Sequence, residues 1–180
     1  GYQFWRLLTV DEPLWSHGVR GAIDLNLRYI ESWDWLAGSS IYESYSHAVY
    51  PPASYALLMP FTAWSDFMTV RWLWAAMYIT ALAVLIIQIT RESGARLRTE
   101  WVFVALLPLA MYATGAAIGN GQLIVLIMPV LLAAILLITR PNSTWKTDLL
   151  AAVLMVIALV KPSLSVPFFL LFLFVPGRAR

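Results

Sequence analysis

WLWAAMYITALAVLIIQI, residues 72–89, is an apolar run broken only by Gln88 near its end. At about 1.5 Å of rise per helical residue it covers nearly all of the ~30 Å hydrocarbon core of a bilayer, so it reads as a transmembrane helix. The chain beyond it repeats the theme. Arg91-Glu92-Ser93-Gly94-Ala95-Arg96-Leu97-Arg98 is a tight basic loop, and Trp101 to Ile118 makes a second span with Pro108 inside it. Gly119-Asn120-Gly121-Gln122 is a very short turn, Leu123 to Ile138 a third and shorter span, and Arg140 to Lys146 a second basic loop. Leu149 to Val175 is apolar except for Lys161-Pro162-Ser163 in its middle, which gives one long kinked helix or two short ones hinged at the lysine.

Upstream the character changes. Residues 1–50 hold Asp11, Glu12, Asp24, Glu31, Asp34 and Glu43, both histidines (His17 and His47) and many aromatics, and no apolar run there approaches ~20 residues. Ala22 to Leu36 has helical apolar spacing, and Trp33, Trp35, Tyr42, Tyr45 and Tyr50 are the amphipathic rings expected at a headgroup interface. Gly38-Ser39-Ser40 ends this interfacial helix. Tyr50-Pro51-Pro52 forces an extended turn, and Ala53 to Trp64 resumes as a short apolar helix.

Composition agrees with a lipid solvent. Apolar residues are 61% and charged residues 12%, with mean hydropathy +0.73, against about 25% charged in a soluble domain. The fold expected is all-α, a polytopic transmembrane helical bundle of about four to five spans over residues 71–180, preceded by an extracytoplasmic loop with interfacial helices over 1–70. The chain reads as an interior fragment of a larger membrane domain. With a net charge of +2 and scattered arginines, nucleic acid is not a partner. Zero cysteines exclude a thiolate nucleophile or metal site, neither histidine has a metal-ligand partner at a recognisable spacing, and no cofactor motif is present. The positive-inside rule puts the Arg91–Arg98 and Arg140–Lys146 loops in the cytoplasm. Residues 1–70, the 119–122 turn and, in the two-helix version, Lys161 then share the outer side.

On that side lie the candidate functional groups. Asp24 opens the interfacial helix beside Asn26 and Arg28; it serves either as a general base toward a hydroxyl or as a helix-terminal acid favoured by the macrodipole. Glu31 and Asp34, further along, are bystander carboxylates. Lys161 is an ionisable group inside an apolar stretch, suited to a lipid-linked phosphate, with snorkelling to a headgroup as its alternative. Asn120 and Gln122 can hydrogen-bond sugar hydroxyls, although Gly-Asn-Gly is also good turn chemistry. His47 offers a second acid-base or phosphate-contacting group.

Asp24-Leu25 with Arg28-Tyr29, Leu36 to Tyr42, Val49-Tyr50-Pro51-Pro52 with Leu57-Leu58-Met59-Pro60, Gly119 to Gln122 and Val160-Lys161-Pro162 form an ordered set. The set resembles glycosyltransferase family 87, which contains polyprenyl-phosphate-mannose-dependent α-1,2-mannosyltransferases of the GT-C class. The resemblance implies a GT-C-like multi-pass enzyme of the plasma membrane, with its active site on the extracytoplasmic side. Its catalytic aspartate maps onto Asp24, its Tyr-Pro-Pro element onto Tyr50, Pro51 and Pro52, its Gly-Gln turn onto Gly121 and Gln122, and its Lys-Pro onto Lys161 and Pro162. A metal-independent, inverting transfer of a sugar, mannose by the resemblance, is then expected. It runs from a polyprenyl-phosphate donor to a glycan or glycolipid acceptor among membrane lipids. Arg28, Tyr29, His47, Tyr50, Asn120, Gln122 and Lys161 are the expected binding residues, and Lys161 or Arg28 holds the leaving phosphate. The alternative class is a non-catalytic envelope-lipid transporter or assembly scaffold, which would show repeats with matching broken helices.

Overall fold

The computed structural model describes residues 1–9, 21–46, 48–141 and 144–174. Among them the regular structure is all helical: α1 (Tyr2–Thr9), α2 (Ile23–Leu36), α3 (Ile41–Ser44), α4 (Pro52–Thr62), α5 (Phe67–Glu92), α6 (Arg98–Ala110), α7 (Tyr112–Asn120), α8 (Ile124–Ile138), α9 (Trp145–Ala158) and α10 (Pro162–Phe174).

α5 is the spine. Its start is fixed by Asp66, whose carboxylate accepts from the Thr69 N–H at 3.0 Å and from the Thr69 hydroxyl at 2.7 Å. The 26 residues give a rod of roughly 39 Å, and its buried Trp74, Tyr78 and Leu82 share one apolar core with Val125, Ile127 and Leu131 of α8 and Met155 of α9. The indole N–H of buried Trp74 donates to the Tyr78 hydroxyl at 3.2 Å, which in turn donates to the Gln122 carbonyl at 2.7 Å, so both polar ends inside the bundle are satisfied.

The number of spanning helices differs from the expectation. Among the described residues only α5 is long and apolar enough by itself to cross a bilayer. The expected second span is two helices, α6 and α7, bent by 47°. Pro108 removes a backbone donor in the last turn of α6, and the chain turns extended at Met111 (φ −71°, ψ 125°). α8 has only 15 residues, about 22 Å of rise, and also contains a proline, Pro129. The last apolar stretch is resolved as two helices, with Pro162 opening α10 at the first helical position, where its missing N–H is no loss. The expected four to five spans are therefore not found as full-length helices.

The short helices expected before α5 are present. Gly38 takes φ +79° and donates to the Trp35 carbonyl, closing α2, while Pro52 opens α4. At the end of α7, Gly121 adopts φ +76°; its N–H bonds to the Ile118 carbonyl at 3.1 Å and that of Gln122 to Ala117 at 2.9 Å, a Schellman motif. α2 sits directly on this turn. The Ala22 N–H donates to the Gly119 carbonyl at 2.8 Å, and a Cβ at Gly121 would lie 2.5 Å from the Leu25 Cβ. Gly121→Ala should therefore lower stability by the left-handed strain of about 1–2 kcal/mol plus the cost of pushing α2 away. Gly38→Ala, with the same φ sign but nothing within 4 Å, should show the strain alone. Unfolding midpoints of the two variants in one detergent check the difference.

Candidate functional site

Positions 24, 28 and 31 recur at helical spacing and bring Asp24, Arg28 and Glu31 to one side of α2. Arg28 is 5% exposed and Glu31 fully buried. The Arg28 Nη2 donates to Glu31 Oε1 at 2.8 Å, and the Tyr55 hydroxyl of α4 donates to Glu31 Oε2 at 2.8 Å. The other terminal nitrogen, Nη1, is buried with no hydrogen-bond partner. Burial and the bond to Glu31 both push the Tyr55 pKa well above its ordinary value, so the phenol stays a donor through the physiological range.

Tyr50 lies at the centre. The Arg28 guanidinium stands 4.5 Å from its ring centroid and the Lys161 ammonium 5.9 Å, both within cation–π range. Its carbonyl accepts from the Tyr42 hydroxyl at 2.6 Å, and burial raises its own pKa. Asp24 is half-buried in the first turn of α2 and acts electrostatically on both Tyr50 and Lys161. The structure thus brings Arg28 and Lys161 onto the Tyr50 ring from separate segments, with Asp24 on the Arg28 side of α2 and within electrostatic reach.

Lys161 is placed by a broken helix. Between α9 and α10 its carbonyl accepts from the N–H groups of Leu164 and Ser165. Two carbonyls at the break accept from buried serines: Ser165 Oγ donates to Ala158 at 2.6 Å, beside the Lys161 N–H, and Ser54 Oγ of α4 to Val160 at 3.0 Å. Such side-chain repair is what permits a helix to break in apolar surroundings.

The remaining expected residues sit elsewhere or do other work. Tyr29 points away from Arg28; its hydroxyl donates to the Ser65 carbonyl at 3.0 Å and its ring packs 5.2 Å from Phe67, bracing α2 on the start of α5. The Asn120 amide oxygen accepts from Arg6 of α1, and the Gln122 backbone carbonyl from Tyr78, so both help build the turn under α2. His47 lies outside the described residues, as does His17. Among the described residues no three His, Asp or Glu side chains converge as metal ligands would.

Glu31 is the residue that pattern reading passed over. It is no bystander, for it holds Arg28; the i,i+3 spacing from Arg28 was the available signal. Asp34 does lie apart, accepting from the Tyr45 hydroxyl, a bond that raises the Tyr45 pKa. Tyr55 and Ser54 carried no signal, because their partners Glu31 and Val160 are 24 and 106 residues away.

A model of glycosyltransferase family 87 matches residues 48–180, most of the chain. The chain belongs to glycosyltransferase family 87. As a glycosyltransferase it has a sugar donor and an acceptor as substrates. The matched part of this family 87 chain contains Tyr50, Asn120, Gln122 and Lys161, whereas Asp24, Arg28 and Glu31 precede it and are tied to it through Tyr50, Tyr55 and the 119–122 turn. No curated protein and no solved structure matches the chain.

The hinge geometry generates a test. Ser54→Ala leaves the Val160 carbonyl without a partner, which should cost about 1–3 kcal/mol, the penalty of an unsatisfied buried polar group. Ser163→Ala, at an exposed position on the same hinge, should be nearly neutral; chemical unfolding of both checks it.

Proposed function

We propose that this family 87 chain is part of an integral, multi-pass GT-C-type enzyme of the plasma membrane. It moves a sugar, mannose by resemblance, from a polyprenyl-phosphate donor to an extracytoplasmic glycan or glycolipid acceptor. The observation that carries this reading is the convergence of two cations, Arg28 and Lys161, on the Tyr50 ring at a broken apolar helix, with Asp24 within electrostatic reach. A carboxylate base in the neighbourhood of an anion receptor is what transfer from a lipid-linked phosphate requires.

In the reaction Asp24 takes the proton of the acceptor hydroxyl. The acceptor oxygen attacks the anomeric carbon from the face opposite the phosphate, and the carbon–oxygen bond to phosphate breaks with its electron pair leaving on the phosphate. The sugar inverts. The charge that grows on the departing phosphate falls to the Lys161 ammonium and the unpaired Nη1 of Arg28, donors already in place before it develops. Protein groups alone supply these roles, with no metal or cofactor.

Two further features support the lipid-linked donor and the orientation. An apolar cavity of about 380 Å³ lies between α5, α6, α7 and α8, lined by Leu82, Leu107, Pro108, Met111 and Val125 among others, and it suits hydrocarbon. The site adjoins the start of α5 through Tyr29 and Ser65, while the Arg91–Arg98 loop follows its end, some 39 Å away. If α5 spans, arginines and site lie on opposite faces, and the positive-inside rule assigns the arginine side to the cytoplasm.

Because the chain has no cysteine, single cysteines report sidedness cleanly. Ser44 and Ser93 are both exposed. In intact cells Ser44→Cys should react with an impermeant thiol reagent and Ser93→Cys should not; the reverse pattern would overturn the orientation.

Chemistry is tested at Asp24. Asp24→Asn keeps size but cannot take a proton, so transfer per folded molecule should fall by ~10²–10⁴-fold, while Asp34→Asn, outside the cluster, should stay close to the parent. Wild-type turnover in Asp24→Asn would instead favour a transporter or scaffold built around the broken helix.

A further inference from the structure

Arg28 is held along one edge only. Nη2 is bonded to Glu31, the guanidinium carbon stands over Tyr50, and Nη1 is buried without a partner. An unpaired buried N–H is costly, and a ligand, ion or water that completes it removes that cost. Glu31, which keeps Arg28 in this pose, is itself anchored at its second oxygen by Tyr55 from another helix. A buried carboxylate needs its second oxygen satisfied, and here the donor comes from another helix; Arg28 and Glu31 alone are neighbours on one helix and would pair through a range of rotamers. The Tyr55 bond removes that freedom.

We infer that Tyr55 and Glu31 form a positioning relay that locks the Arg28 guanidinium with its Nη1 edge presented to the anionic group of the substrate. Glu31 and Tyr55 touch no reacting atom; they act through Arg28. The inference rests on the proposed reading that a lipid-linked phosphate binds here. The relay fixes direction while leaving the charge total unchanged, so a purely electrostatic role and a positioning role give different results.

Tyr55→Phe separates them, since it alters no charge. The probes are farnesyl phosphate and farnesol, and the readout is the ratio of their dissociation constants for folded, detergent-solubilised full-length protein. That ratio isolates the phosphate from the hydrocarbon and from folded fraction. In the parent protein the phosphate should be bound at least about tenfold more tightly, the scale of one charge-assisted hydrogen bond. Arg28→Met should remove most of this advantage. Tyr55→Phe should reduce it about 3–10-fold. Glu31→Asp, which keeps the charge but withdraws the carboxylate by one methylene, should reduce it more than Glu31→Gln, which keeps the reach and loses the charge.

The outcomes are distinct. A phosphate advantage that survives Tyr55→Phe and Glu31→Asp, whatever happens to the unfolding midpoint, overturns the relay and leaves Glu31 as a structural partner. An advantage that survives Arg28→Met overturns the relay but leaves Lys161 as phosphate receptor. No phosphate advantage in the parent protein sinks the proposed reading and the relay together.

Discussion

The seat of α2 on the turn between α7 and α8 governs the site. At that turn two glycines without side chains let helices approach: Gly121, in a left-handed conformation, admits Leu25, and Gly119 leaves room for Gln3 and Arg6 of α1. The Ala22 N–H closes onto the Gly119 carbonyl, and Ala22 itself is bent to φ 53° to do so, a conformation alanine takes only at a cost of about 1–2 kcal/mol. Complete burial of Leu25, on the order of 1.5–3 kcal/mol, is enough to offset that strain. With the start of α2 pinned, its rotation is no longer free. Asp24, Arg28 and Glu31 face Tyr50, Tyr55 and Lys161 because Leu25 faces the turn.

Electrostatics in the cluster follow from that rotation. Arg28 and Glu31 leave water together, and such a pair adds little net stability because desolvation consumes most of the attraction. Its value is in fixity: removal of either partner strands a buried charge at roughly 3–5 kcal/mol, so the pair does not exchange partners easily. Lys161 has no ion-pair partner within direct contact among the described residues and feels Asp24 only at a distance. One cation is therefore compensated by an ion pair, while the other is carried on the hinge without one among the described residues.

Helix breaks serve the same end. α9 stops at Ala158 and α10 starts at Pro162, which gives Lys161 a backbone that belongs to neither helix and a position over the Tyr50 ring. The backbone groups exposed by the break are satisfied by Ser54 and Ser165, and Ser54 belongs to α4, so the hinge is tied to the same short helix that supplies Tyr55. Motion of α4 would move the Glu31 anchor and the Lys161 hinge together.

Local features were legible in the order of residues. Helical periodicity marked α2, proline fixed the start of α4 and the Lys161-Pro162 hinge, glycine ended α2 and α7, and the ordered motifs disclosed the family, since each depends only on backbone preference or on residue order. Apolar runs were a weaker guide: they showed where helix forms but not whether it continues, because Pro108 interrupts one run at Met111 and the choice between one kinked helix and two over Leu149–Val175 lay with the tertiary structure. The structure alone decided which polar groups are partners. Asn120 meets Arg6 across 114 residues and Ser54 meets Val160 across 106, and Glu31 changed from bystander to anchor once Tyr55 was brought against it. The physical reason is that a hydrogen bond requires partners within about 3 Å, and that distance is set by how helices rotate and approach, which no single segment encodes.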